Sequence, residues 1–302
     1  MERRWPRKGG FPRGERLLAD PAHPPRRGRY SQGMNETAAP AGAGVVAETL
    51  TPGILRLTLD RPQQRNALTG ELAAELRGQL AKASTDPRLR VVIVTGRGAA
   101  FCAGADLGTL TQGASTPQER RQVLADYYRT FLDLRDLEVP TIAAVNGPAI
   151  GAGLNLALSC DLRLLAEGAR LAAPFLRLGI HPGGGCSWLL TRIAGTASAR
   201  EILLRGRPIS SERALEVGLA TALVPPEELE PEAQRWARDI AALPSAVVRD
   251  LKRTLNLAEA GASFEATLAF ETAAQAESMG TADAAEGWRA FRERREPRFS
   301  DS

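Results

Sequence analysis

At 302 residues, with 43% hydrophobic and 25% charged side chains, the chain can bury a sizeable core and has the balance of a globular protein. No apolar run approaches the length of a membrane span, and none follows the basic N-terminus as a secretory leader requires, so no membrane insertion is expected. The net charge of +4 suggests a nucleic-acid partner only until it is located: residues 1–33 carry nine basic and three acidic side chains, which leaves the remainder at −2.

That head is rich in Arg, Pro and Gly and has no apolar periodicity, so residues 1–44 are expected to form a disordered basic extension. A basic tail that binds nucleic acid or an anionic surface is one reading; an upstream extension or a start codon placed too early, with Met34 as the natural alternative start, is the expected one, and no nucleic-acid partner is expected. Cys102, Cys160 and Cys186 are an odd number and contain no C-x-x-C pair, the pattern of reduced thiols in a cytoplasmic protein. The two histidines, His23 and His181, share no metal-ligand spacing, so no metal is expected.

Regular patterning begins after the head. Leu55, Leu57 and Leu59 alternate with polar residues and predict a half-buried strand over 54–60, stopped by Arg61-Pro62. Thr69 caps a predicted helix through Ala83, with Leu72, Leu76 and Leu80 on one face. Val91–Val94 reads as a buried strand. Over 119–137, Val123, Leu124, Tyr127, Tyr128, Phe131 and Leu134 recur at helical spacing, and Pro140 precedes a strand at 141–145.

A helix opens near Gly151, strands follow at 161–165 and 170–173, and a glycine-rich turn at 182–185 leads into a helix over 186–194. This alternation predicts an α/β fold. Beyond residue 196 helices are expected near 196–205, 210–217, 227–242, 245–259, 262–278 and 281–293, interrupted by a short strand at 222–224. Phe264, Leu268, Phe270, Trp288 and Phe291 fall in these helices, at positions suited to core, subunit contact or pocket lid, with core as the default. No internal sequence repeat is found.

Four segments carry a resemblance, in this order: Arg61-Pro62 with Asn66-Ala67-Leu68; Gly98 to Leu107 (GAAFCAGADL); Asn146 to Asp161 (NGPAIGAGLNLALSCD); and Pro182-Gly183-Gly184-Gly185. With the C-terminal phrase from Glu286 to Pro297, they resemble the crotonase (enoyl-CoA hydratase/isomerase) superfamily over residues 48–298. The resemblance implies a β-β-α superhelix at 45–195 and a helical region at 196–298 that packs on the core or on a neighbouring subunit, as a homotrimer or hexamer. It implies an acyl-CoA thioester as substrate, with coenzyme A entering as part of it and no separate cofactor.

By the same resemblance, the backbone amides of Ala105 and Ala152 form an oxyanion hole for a thioester enolate, where donors are needed as charge develops. Ala103, Gly104, Asp106, Leu107, Gly151, Phe175 and Gly183 line the substrate site, with adenine near the 101–107 turn and the glycine-rich loop as a wall of the acyl pocket. A helix over 152–160 would leave the Ala152 amide free and set the helix dipole behind it.

The family's hydratases carry two glutamates at positions matching Asn155 and Phe175, neither of which exchanges a proton near neutral pH. Ordinary water addition is therefore in question. His181, the one histidine outside the head, is the candidate acid or base; its alternative is a hydrogen-bonded structural role. Asp106 and Asp161 read as capping or turn residues. The expected function is an acyl-CoA-processing lyase or isomerase of this family, with a non-catalytic acyl-CoA-binding or regulatory protein as the alternative.

Overall fold

The computed structural model describes residues 44–300. The expected basic extension lies outside them except for Gly44, which opens the first strand. Strands β1 (Gly44–Thr51) and β2 (Ile54–Asp60) form an antiparallel pair. Sequence alternation revealed only β2, because β1 has a buried start at Gly44 and Val45 but mostly exposed residues beyond, and so lacks a full apolar face.

After a 3-10 turn at Pro62–Gln64, α1 (Gly70–Ser84) opens with the Thr69 hydroxyl accepting from the Leu72 amide at 3.2 Å. Its Leu72, Leu76 and Leu80 are buried as the four-residue spacing predicts. β3 (Val91–Gly96) is buried along most of its length. A single-turn α2 (Leu107–Leu110), too short for a periodicity, precedes α3 (Pro117–Leu132). The latter begins with a reciprocal capping box between Thr116 and Glu119 and Pro117 in the first turn. The helix expected over 119–137 thus starts earlier and ends at Leu132, with a 3-10 turn at Asp133–Asp136 leading toward the next strand.

β4 (Thr141–Val145), the two-residue β5 (Ala149–Ile150), α4 (Ala152–Leu158), β6 (Leu162–Ala166) and β7 (Arg170–Ala172) follow. Then α5 (Cys186–Arg205) runs through a break at Gly195, whose φ of 74° and ψ of 163° are not helical, so the two helices expected on either side of 195 abut. The remainder is β8 (Ile209–Ser210), α6 (Ser211–Glu216), β9 (Ala222–Val224), α7 (Leu229–Ala241), α8 (Ser245–Glu259), α9 (Phe264–Ser278) and α10 (Ala282–Glu293).

Six strands make one sheet in the order β1-β2-β3-β4-β6-β9, parallel from β2 onward; β5, β7 and β8 make a second, smaller one. One core, holding Leu57, Leu72, Phe101, Phe131, Leu154 and Leu190, contains the buried residues of α1, α3, α4 and α5; a second, with Ile93, Ile142 and Leu164, packs beneath α7. Both faces of the parallel strands are covered, which is why they read as continuous apolar runs. No helix of the described residues is long and apolar enough to cross a membrane.

The C-terminal aromatics correct the expectation of core. Phe264 is 75% exposed, Trp288 62% and Phe291 80%, and Leu268 is also exposed, while only Phe270 is half-buried. α9 contacts the rest of the chain chiefly through α8, so helical periodicity gave these residues a face with nothing of this chain to cover it.

Asn66 holds together the loops above the sheet. It is fully buried, with left-handed φ of 54°. Its Oδ1 accepts from the Arg61 amide at 2.9 Å, and its Nδ2 donates to the carbonyls of Arg97 at 3.0 Å and Ala100 at 2.8 Å. Asn66→Ala strands these main-chain groups and is expected to lower the unfolding free energy by about 2–3 kcal/mol, read from urea denaturation; an unmoved midpoint would mean that the loops are held elsewhere.

Candidate active site

Two main-chain segments meet at the edge of the smaller sheet. Cys102 forms a bridge with Ala149: its amide donates to the Pro148 carbonyl at 3.1 Å, and its carbonyl accepts from the Ile150 amide at 3.0 Å. The turn that follows is tied down from the other side. The Ala103 amide donates to the Arg65 carbonyl at 2.9 Å, and the Gly104 carbonyl accepts from Leu68 at 2.8 Å.

The approach leaves no room for side chains. Gly104 has φ of +96°, and a Cβ there would lie 2.6 Å from the Ile150 carbonyl oxygen and 3.6 Å from the Ala152 nitrogen. A Cβ on Gly153 would overlap the Cys102 carbonyl outright. The glycines are required by contact and conformation together.

This packing sets the turn carrying Ala105 against the start of α4. The Gly151 amide donates to the Ala172 carbonyl at 2.9 Å, and the Asn155 amide to the Gly151 carbonyl at 3.0 Å. The amides of Ala105 and Ala152 have no acceptor among the described residues. Ala152 is buried and Ala105 half-buried, so both are donors held in a partly dry setting. α4 ends at Leu158 rather than 160 and has only seven residues, so direct donation by these amides matters more than any dipole behind them.

Asn155 lies three residues beyond Ala152 and is fully buried. Its Nδ2 donates to the Gly183 carbonyl at 2.9 Å, whereas its Oδ1, also buried, has no partner among the described residues. Phe175 is buried, its ring tip 3.9 Å from where a Cβ on Gly151 would stand. Ala103, Gly104, Ala105, Gly151, Ala152, Asn155, Phe175 and Gly183 therefore form one neighbourhood.

Asp106 stands beside it but faces another task. Its carboxylate caps α2, accepting from the Thr109 hydroxyl at 2.6 Å and the Thr109 amide at 3.2 Å. These bonds, the hydroxyl foremost, hold its pKa below the usual carboxylate value. Leu107 is the half-buried first residue of α2. His181 is exposed, and its Nδ1 lies 2.8 Å from the Pro182 carbonyl. A carbonyl only accepts, so that contact puts the proton on Nδ1 and leaves Nε2 as the free ring nitrogen.

Three further residues were not legible in advance. Tyr128 entered the sequence reading only as part of a helical stripe, yet its ring packs on Gly183 and Gly184: a Cβ on Gly184 would lie 2.7 Å from its Cδ1 and 2.6 Å from Asn155 Nδ2. The adjacent Tyr127 donates to the Leu68 carbonyl at 2.7 Å. Tyr127 lies in the main core and Tyr128, half-buried, packs against the same cluster, so helical spacing alone did not single out the second tyrosine. Arg163, buried, donates through Nη1 to the Cys160 carbonyl at 2.5 Å and through Nε to the Leu219 carbonyl at 2.8 Å, closing the end of α4. Lys252, also buried, reaches from α8 to Asp161 at 2.8 Å and to the Val139 carbonyl at 2.9 Å. Asp161, expected as a cap or turn residue, bridges strands instead by accepting from the Thr141 amide at 2.7 Å and hydroxyl at 2.8 Å.

Comparison with known proteins decides the relationship. The enoyl-CoA hydratase/isomerase family model matches residues 49–302. The chain belongs to that family. A protein named 1,2-epoxyphenylacetyl-CoA isomerase from Escherichia coli is 35% identical over 250 residues, 82% of this chain and 95% of that one. A protein named probable enoyl-CoA hydratase from Mycobacterium tuberculosis is 44% identical over 199 residues, 66% of this chain and 76% of that one. The crystal structure of an enoyl-CoA hydratase from Bacillus anthracis superposes with a TM-score of 0.80 at 34% identity, covering 86% of this chain and all of its own. The crotonase fold follows from these likenesses.

In this family member a cavity of about 320 Å³, lined by Arg56, Arg97, Asn146 and Glu230 among others, opens between the larger sheet and α7 and includes no residue of the Ala105–Ala152 neighbourhood. Nor do the thiols offer an alternative nucleophile. All three cysteines are buried and free, and desolvation pushes each up to about 12. A thiol reagent is expected to label none of them in the native protein and all three in denaturant. The sign for stability is fixed: the native state keeps protons that the unfolded state releases above the ordinary value of 9.0, so alkaline pH from there toward 12 should destabilise the fold.

Proposed function

We propose that this chain is an acyl-CoA-processing isomerase or lyase that stabilises a thioester enolate between the amides of Ala105 and Ala152. The single observation that carries the reading is the pair of acceptor-free amides, held by backbone contacts at Gly104 and Gly153. Donors fixed in this way need no reorganisation as the carbonyl oxygen gains charge, and removing one such donor typically costs about 10²–10³ in rate. The family relationship supports coenzyme A as the carrier of the acyl group, and the proposed chemistry calls for no separate cofactor.

Asn155 and Phe175 stand where the resemblance to the family's hydratases calls for glutamates. An amide can orient a water or an acyl oxygen, and a phenyl ring can dry the pocket, but neither moves a proton. General acid–base groups contribute about 10²–10⁴ each, so ordinary hydration should be slow and a double-bond or enolate rearrangement fits better. His181 Nε2 is the remaining base on the glycine-rich loop. The lack of a titrating group at 155 and 175 also favours a second reading, an acyl-CoA-binding protein without turnover. The exposed Phe264, Leu268, Trp288 and Phe291 support assembly with further copies of the chain, as a homotrimer or a dimer of trimers.

Calorimetry with butyryl-CoA and spectrophotometric turnover of crotonyl-CoA and a longer 2-enoyl-CoA test this directly. Binding with slow hydration is expected; rapid hydration would overturn the argument from Asn155 and Phe175. Ala152→Pro removes one donor at the first helical position, where no intrahelical bond is lost. It should lower turnover by about 10²–10³ while the unfolding temperature holds. His181→Ala should reduce turnover and spare butyryl-CoA affinity; no change in either makes His181 structural.

A further inference from the structure

We propose that a cavity at the opposite end of α4 from Ala152, walled by α8, is a second binding site that takes a small aliphatic carboxylate around the buried guanidinium of Arg163. The site shares no residue with the Ala105–Ala152 neighbourhood and does not depend on the acyl-CoA reading.

The cavity has a volume of about 290 Å³, at the lower end of ligand pockets, which suits a molecule of a few carbons. Its charges do not balance. Arg135 pairs with Glu259 at 3.0 Å, and Asp161 with Lys252 at 2.8 Å. Arg163 is the one charged residue of the lining without a carboxylate at salt-bridge distance among the described residues. The walls and their partners therefore set three cations against two carboxylates, and the excess lies on Arg163.

That charge is deep. Arg163 is only 8% exposed, and its Nε and Nη1 are spent on the carbonyls of Leu219 and Cys160. Nη2 has no partner among the described residues, yet it is not sealed from solvent, so it is the edge of the guanidinium that the cavity reaches. Burial lowers the Arg163 pKa against the opposing pull of Asp161 and Glu259, and a guanidinium stays protonated all the same. A buried cation that meets only carbonyls is costly, and an anion is the partner that relieves it. α4 has seven residues, so the negative end of its dipole opposes such an anion weakly.

The rest of the lining selects among anions. Leu158, Ile193 and Leu255 give the cavity an apolar side. Asn256, exposed on α8, adds a side-chain amide that makes no hydrogen bond among the described residues. One open guanidinium edge and one amide answer the two oxygens of a carboxylate, and the apolar side takes a short hydrocarbon tail. Inorganic phosphate would bring further oxygens to a wall that has no donors for them.

The experiment is calorimetric titration of the full chain with sodium butyrate, the ionic strength held constant with sodium chloride. A dissociation constant of about 1 mM or tighter is expected. Arg163→Gln should abolish binding. Because that change also removes two hydrogen bonds, Asn256→Asp is the deciding variant: it sets a like charge at the rim from an exposed helix position, where the fold tolerates it, and should weaken butyrate by about fivefold. Inorganic phosphate should bind less tightly than butyrate. Butyryl-CoA in excess should leave the butyrate constant unchanged, because the two sites lie at opposite ends of α4. No butyrate binding, an unchanged constant in Asn256→Asp, phosphate bound as tightly as butyrate, or displacement of butyrate by butyryl-CoA each overturns the proposal. Failure of butyryl-CoA itself to bind would sink the acyl-CoA reading and leave this site to be judged by Asn256→Asp.

Discussion

The close approach of two main-chain segments, 102–105 and 150–153, constrains the rest of the molecule. Backbone packs on backbone there, at distances that any side chain on Gly104 or Gly153 would prevent. Two hydrogen bonds through Cys102 fix the register, and Ala103 and Gly104 bind the turn to the 65–68 loop. Displacing either segment by an ångström would misalign the amides of Ala105 and Ala152, the two donors proposed for the oxyanion, and a catalytic role for them would be sensitive at that scale. The buried strands, the α1 cap and the Asn66 hub serve this contact by leaving its surroundings few alternatives.

α4 is secured at both ends by different means. At its start Gly151 joins the smaller sheet through Ala172; at its end the buried guanidinium of Arg163 accepts the burden of the free Cys160 carbonyl. Burial lowers the Arg163 pKa, yet its donors meet carbonyls, which compensates part of the desolvation. Lys252 extends the brace: a residue of α8 bonds Asp161 and Val139, so a helix remote in sequence helps fix the strands flanking α4. An unpaired Asp161 or Lys252 would be costly in that setting, which makes the pair a specific link rather than a surface decoration.

Much of this was readable from the amino acids. The strands at 54–60, 141–145 and 222–224 follow from alternation or apolar runs bounded by Pro and polar residues, and the Thr69-capped helix from spacing. The neighbourhood of Ala105, Ala152, Asn155 and Gly183 came from ordered motifs whose glycines have a steric reason. What escaped was long-range pairing. Nothing local to Lys252, Arg163 or Tyr128 says which carbonyl or glycine it meets, since those partners lie in distant segments. β1 escaped because only its first residues are covered, and the aromatics of α9 and α10 misled because periodicity reports an apolar face without saying which molecule covers it.

Asn155 also bears on what the proposed oxyanion site can do. A carboxylate in its place, three residues from Ala152, would set a negative charge close to the developing enolate in a partly dry cavity, where repulsion is poorly screened. The neutral amide removes that opposition and keeps a similar reach for hydrogen bonding, at the expense of a proton carrier. In the proposed site a phenyl ring at 175 would act in the same direction, by excluding water that weakens the amide bonds. Under the proposed function, an amide at 155 and a ring at 175 would favour holding an enolate over adding water to it, and would leave the demand for a base to His181 Nε2 or to a group the substrate brings.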